Sequence, residues 1–194
     1  MSLSKCQTSV TEKINNLWSI LFIISIGKVL TFFAKIFGIK HSGNLMSHSA
    51  LNIADTIIDL SRKRGTTIDN LKLQKLMYYC QGWYVTFNDT TLFNEGIEAW
   101  VHGPVVPVVF RKFKEFRKND ISCEAKSVED EGVIKHIHSV LEVYGKYDGI
   151  QLMHLTHKEK PWLDARKGLA ADESGNSVIS CKSMNEYFSG LLNA

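Results

Sequence analysis

The chain is 194 residues long, enough for one domain of ordinary size with an appendage. Its 44% apolar and 22% charged residues exclude a disordered chain. A net charge of +3 excludes a strongly basic body that would hold nucleic acid by its field alone, and even that small excess sits in one place.

Residues 1–45 carry Lys5, Lys13, Lys28, Lys35 and Lys40 against Glu12, a net +4, and the 18 basic and 19 acidic residues that follow leave −1. The same part holds the most apolar stretch, LWSILFIISIGKVLTFFAKIFGIK from Leu17 to Lys40. Its 14 Leu, Ile, Val and Phe residues favour insertion by about 4–8 kcal/mol, against about 2.5–3.5 for Lys28 near the middle. Four readings stay open. The stretch is a spanning helix, an interfacial helix with Lys28, Thr31 and Lys35 on one side, a signal peptide with its run at Leu17–Ile26, or sequence ahead of a true start at Met46. The chain accordingly divides into a hydrophobic, basic extension over 1–45 and a domain over 46–194.

The first domain helix is predicted over Ser49–Arg64, capped by Ser47 or Ser49, with Ala50, Ala54, Ile57, Ile58 and Ser61 inward and Gly65 as its stop. Asp69 caps the next, Asn70–Asn88. Here Leu73, Leu76, Met77, Cys80, Trp83, Tyr84 and Phe87 recur at helical period, and a second stripe, Leu71, Gln74, Tyr78, Gln81 and Val85, is half apolar. That leaves Lys72, Lys75, Tyr79, Gly82 and Thr86 to face water. A helix apolar over so much of its girth has neighbours on most sides and is predicted to be the central, buried one.

Ile97–Val101 alternates as a short strand. His102-Gly103-Pro104 turns the chain, and Pro107 opens a helix to about Lys118 that buries Val109, Phe110, Phe113 and Phe116. Its outer face carries Arg111, Lys112, Lys114, Arg117 and Lys118. Ser127–Asp130 has the form of a capping box, and Val133, Ile134, Ile137, Val140, Leu141 and Tyr144 make a stripe ended by Gly145. Asp148 caps a short helix through Leu155, Pro161 starts another that stops at Gly168, Val178–Ser180 is a candidate strand, and Ser183 caps a last helix to about Leu192. The fold class is mainly α with a small β element (α+β), a compact helical domain with an additional N-terminal hydrophobic helix.

Chemistry is sparse in this pattern. His136-x-His138 and His154-x-x-His157 lack the i, i+4 spacing and the acidic or thiol partners of a helical zinc site, so no metal is expected. His157 is expected to hydrogen-bond or cap its own turn. Cys80 lies on the apolar face, where a thiol has a raised pKa and little reactivity. Cys6, Cys80, Cys123 and Cys181 form no CxxC pair and read as reduced thiols of a cytosolic protein. No glycine-rich phosphate loop is present, and Trp83, Trp100 and Trp162 read as core residues whose indole N–H groups seek carbonyls. The basic face Arg111–Lys118 reads as a solvated helix surface more readily than a phosphate contact. No enzyme and no cofactor are expected.

Three ordered motifs carry a resemblance: LKLQKLMYYCQGWY, then LF-N-E-G-IEAWVHGPVVPVVFRKFK, then LTHKEKPWLDARKG. Over roughly Ser49–Leu192 the chain resembles the Panacea domain family, the SocA-like antitoxins that are called GepA-like when prophage-borne. The resemblance implies an antitoxin that binds a cognate protein toxin encoded by a neighbouring gene. It also implies an alternative, an adaptor that presents the toxin to an ATP-dependent protease. A nucleic-acid-binding prophage regulator is a further alternative. No small-molecule substrate is implied. The partner-binding candidates are Lys72, Lys75, Tyr79, Trp100, His102 and Pro104. A cytoplasmic location is expected, with membrane contact through residues 17–39 if that segment is a membrane-seeking helix.

Overall fold

The computed structural model describes residues 48–192, so the expectations placed on 1–45, on Ser47 as a cap and on Cys6 lie outside the described residues. Within them the chain is mainly helical, with two short strands. The order is α1 (Ala50–Lys63), α2 (Asn70–Asn88), β1 (Glu98–Trp100), β2 (Gly103–Val105), α3 (Pro107–Phe113), α4 (Glu131–Tyr144), α5 (Gly149–Thr156), α6 (Lys160–Ala165) and α7 (Cys181–Leu192).

The caps explain where the helices begin. Ser49 accepts from the Asn52 amide and Asp69 from the Lys72 amide, and Asp148 with Gln151 forms a reciprocal capping box. Two expected caps are displaced by one turn. Asp130 caps α4, because the Ser127 hydroxyl is already bonded to Asp59 on α1. Ser180 accepts from the Ser183 amide at 3.1 Å, so α7 starts before Ser183. The helix at Pro107 ends at Phe113 and tightens into a 3₁₀ turn at Lys114–Phe116, and Phe110 and Phe116 are half-buried. Arg117, at φ +53° and ψ −113°, stops the helical path there.

α2 is the axis of the domain, packed by α1, α3, α4, α5, α7 and β2. Fifteen of its 19 residues are buried, so the face assigned to water is not there. Lys72, Lys75, Tyr79 and Gly82 are all buried, and Thr86 is half-buried. Over Tyr79 and Gly82 the cause is α7, whose Phe188 lies against Gly82, Trp83 (ring centroids 4.9 Å) and Tyr79 (6.3 Å); Lys75 is covered by the segment at 103–104 and Lys72 by the chain at 145–149. The buried polar residues of α2 serve backbone that lacks a ladder partner. Gln81 accepts from the Leu92 and Phe93 amides and donates to the Phe93 carbonyl; Gln74 accepts from the Val106 amide at 2.9 Å; Lys75 donates to the Pro104 carbonyl at 3.0 Å. A polar group can be buried at little cost when its partners are buried with it.

Gly82 is a packing notch. A Cβ there would stand 2.2 Å from Phe188 Cε2 and 2.6 Å from Cδ2, while Phe188 is itself fully buried. Alanine favours a helix over glycine by about 1 kcal/mol, and overpacking a closed core costs about 1–3 kcal/mol. Gly82→Ala is therefore expected to lower the urea midpoint with m unchanged; a raised midpoint would mean that α7 has room to move.

β1 and β2 pair antiparallel, Glu98 opposite Val105, Ala99 opposite Pro104 and Trp100 opposite Gly103, around the two-residue loop Val101-His102. The segment at 103–105 thus forms the second strand of a hairpin rather than only a turn. Gly103 has φ +95°, and a side chain would meet Lys75 Cε at 2.7 Å, so only glycine closes this hairpin against α2. On the other side of β1, Ala99 N donates to Ser177 O and Ile179 N to Ile97 O. The candidate strand at Val178–Ser180 is thus a single bridge, Glu98 with Val178.

Candidate functional site

The hairpin overhangs a groove of about 900 Å³ between α2 and α3. Leu71, Trp100, Val101, Val105 and Phe110 make it apolar, and His102, Lys114 and Arg117 stand at its edge. Trp100 and Phe110 meet edge to face at 5.1 Å, and the Trp100 indole donates to Glu98 Oε2 at 2.7 Å. Ser174–Asn176 closes the far side. The floor is the polar side of α2, where Asn70, Gln74 and Lys75 tie β2 and α3 down through backbone carbonyls and an amide.

Of the six candidate residues, three come together here: Lys75 in the floor, half-exposed Trp100 in the wall and exposed His102 at the hairpin tip. Pro104 is buried behind them with its carbonyl on Lys75. Tyr79 is wholly buried and donates to Glu159 Oε1 at 2.9 Å, so it offers no surface. Lys72 lies on another side of α2, its ammonium 2.8 Å from the Gly145 carbonyl, in a separate polar cleft beside Asp69 and Asp148.

The basic face at Arg111–Lys118 is divided. Lys112 is held by Asp55 of α1 at 2.9 Å, Lys114 and Arg117 border the groove, and Lys118 lines the separate cleft. Arg117 holds a backbone conformation that suits glycine, at a cost of about 1–3 kcal/mol. Arg117→Gly is expected to raise stability by about 1 kcal/mol, about 2–4 °C in Tm for a chain of this size. A lowered Tm would show that the side chain stabilises the turn more than its φ strains it.

What sequence reasoning did not find is the support behind the hairpin, in the LTHKEKPWLDAR motif. The Trp162 indole donates to the Trp100 carbonyl at 3.0 Å, the His157 ring stacks on it at 4.1 Å, and the Arg166 guanidinium lies 5.2 Å from its ring. Arg166, almost fully buried, donates to the carbonyls of Ala99 and Glu173. Of the three tryptophans read as carbonyl-seeking, only Trp162 finds one; Trp83 donates to the Tyr144 hydroxyl and Trp100 to Glu98. The signal available was the pair Pro161-Trp162, both buried, but nothing local said where the indole would point.

Burial sets the ionisation of this region. Desolvation, partly opposed by Asp69, brings the Lys75 amine down to about 7. Desolvation and then the nearby Lys75 charge bring His157 down to about 4. Glu159 is pushed up to about 7 by burial, against the hydrogen bonds of Tyr78 and Tyr79. Cys80, enclosed in the core, has its thiol pushed up by burial and far from a thiolate at neutral pH. His136 Nε2 is 2.8 Å from the Cys80 carbonyl and His138 Nδ1 is 2.9 Å from Arg64, so the two rings face different partners. Among the described residues no three His, Cys, Asp or Glu side chains gather as metal ligands.

Residues 73–163 match the family described as Antitoxin SocA-like, Panacea domain. The span runs from within α2 to α6 and so contains the hairpin, the basic edge of the groove and the Trp162 support. Antitoxin SocA of Caulobacter vibrioides (strain NA1000 / CB15N) is 29% identical over an alignment of 130 residues, covering 60% of this chain and 69% of the relative. No solved structure matches.

Proposed function

We propose, from the match of residues 73–163 to the SocA-like Panacea family and the likeness to Antitoxin SocA, that the chain is an antitoxin that neutralises a cognate protein toxin by binding it directly, with the groove under the hairpin as the contact surface. The observation that carries this reading is the groove itself, an apolar trough with two aromatic residues and a charged edge, whose hairpin, aromatic pair and basic edge fall within the span shared with the family. That composition is the composition of a protein interface: aromatic anchors in a desolvated centre, ringed by polar groups. The arrangement is built to hold. Its floor and its supports are hydrogen-bonded side chains with no group aimed at bond-making, and the reading is of binding without catalysis.

The test is co-expression of the full chain with the neighbouring open reading frame. The neighbour alone should stop growth, and the full chain should relieve the arrest and co-purify with the product. Relief that requires an ATP-dependent protease would make the chain an adaptor instead. A harmless neighbour would overturn the antitoxin reading.

A further inference from the structure

We propose that the groove receives a partner segment in which a bulky apolar side chain is flanked by carboxylates, the apolar group entering beside Trp100 and Phe110 and the carboxylates pairing with Lys114 and Arg117. This rests on the antitoxin reading for its partner, and on the lining for its chemistry. A volume of about 900 Å³ has the capacity for several side chains. Its walls supply Leu71, Val101 and Val105 besides the two aromatic rings.

The charge at the edge is of one sign. Lys114 is well exposed, and its ion-pair partner among the described residues is Glu115, 3.9 Å away and itself 83% exposed, a pair worth little in water. Among the described residues the Arg117 side chain has no hydrogen bond or ion pair, in contrast to Lys112, which Asp55 already holds. Glu98, the carboxylate in the wall, is turned onto the Trp100 indole. An arginine fork and a lysine ammonium at the border of an apolar trough are matched by carboxylates beside an apolar residue. A nucleic-acid strand fits less well, since it needs a run of cations along its phosphates, and this groove has two on one edge and a carboxylate in its wall.

The experiment is selection of a phage-displayed dodecapeptide library on the immobilised full chain. The wild type should enrich Trp, Phe or Leu flanked by Asp or Glu. The best peptide, made synthetically, should bind at least tenfold more weakly to Lys114→Glu/Arg117→Glu, and its Lys-for-Glu counterpart should recover affinity on that double variant. Enrichment of neutral or basic peptides, no enrichment, an unchanged affinity on the double variant, or displacement of the peptide by a single-stranded oligouridylate would each overturn the proposal. Both substitutions lie at exposed positions, and unchanged circular dichroism confirms the fold. The two readings fail separately. Full neutralisation of the toxin by the double variant removes this proposal and leaves the antitoxin; acidic peptides that bind a chain with no toxic neighbour do the reverse.

Discussion

Trp162→Ala is expected to destabilise the domain by about 3–5 kcal/mol, the usual range for deleting a buried tryptophan. The loss has three parts. The cavity removes a ring that His157 stacks on at 4.1 Å with an interplanar angle of 9°. The indole hydrogen bond to the Trp100 carbonyl at 3.0 Å disappears, leaving that carbonyl without this donor at the base of the hairpin loop. Arg166, almost fully buried, loses the aromatic surface beside its guanidinium. For a domain whose whole stability is about 5–15 kcal/mol, this is about a fifth or more. Trp162→Phe keeps a ring in the stack and drops the N–H, and should cost about 1–2 kcal/mol. Urea midpoints of the three proteins measure both steps, and the partner affinity of Trp162→Phe reports whether the hairpin must be tied to α6 for the groove to hold its shape. An alanine variant within 1 kcal/mol of wild type would remove Trp162 from the account.

The second large effect is on pH. Lys75 titrates at about 7 in the fold against 10.5 ordinarily, so between those values the unfolded chain binds a proton that the folded chain does not. Stability from this group is present above 10.5 and is lost as pH falls toward 7. The alkaline rise it produces is on the order of 5 kcal/mol in full, and the tyrosines shifted upward by burial, Tyr79 and Tyr144, work against it above about pH 10. Glu159 has the opposite sign. Raised from 4.5 to about 7, it keeps a proton the unfolded chain has lost, and its contribution falls as pH rises through that window. His157, lowered to about 4 from 6.5, offsets part of that fall. Urea midpoints at pH 7, 8.5 and 9.5 should rise for the wild type and stay level for Lys75→Met, which fills the same space without a titrating group. The same slope in both proteins would mean that Lys75 is charged inside the fold.

Much of the helical frame was legible because its signals are local. Ser49, Asp69 and Asp148 cap the helices they were assigned to, and α2 ends at Asn88 as expected, where Asp89 adopts φ +55°. What could not be read depends on residues far apart in the chain. Lys75 was assigned to solvent because nothing within one helix shows that Pro104, 29 residues on, will place a carbonyl above it. Gln74 finds its partner 32 residues away at Val106, so a stripe that looks half polar is a buried bonding face. Ser127 lost its cap role to a contact with Asp59 across 68 residues. The candidate site was half legible by the same rule. Trp100 and His102 stand out by type beside a Gly-Pro turn, whereas Lys114 and Arg117 looked like an ordinary basic helix face until the hairpin placed a groove beside them.

Titration of the purified full chain into the purified product of the neighbouring open reading frame, with no protease present, is the most direct test of the proposed neutralisation. Direct binding through the proposed groove predicts saturable heat at a fixed stoichiometry, an affinity tighter than about 1 μM, and a marked loss of it in Lys114→Glu/Arg117→Glu. No heat, from a neighbour whose toxicity the chain still relieves in cells, would contradict it.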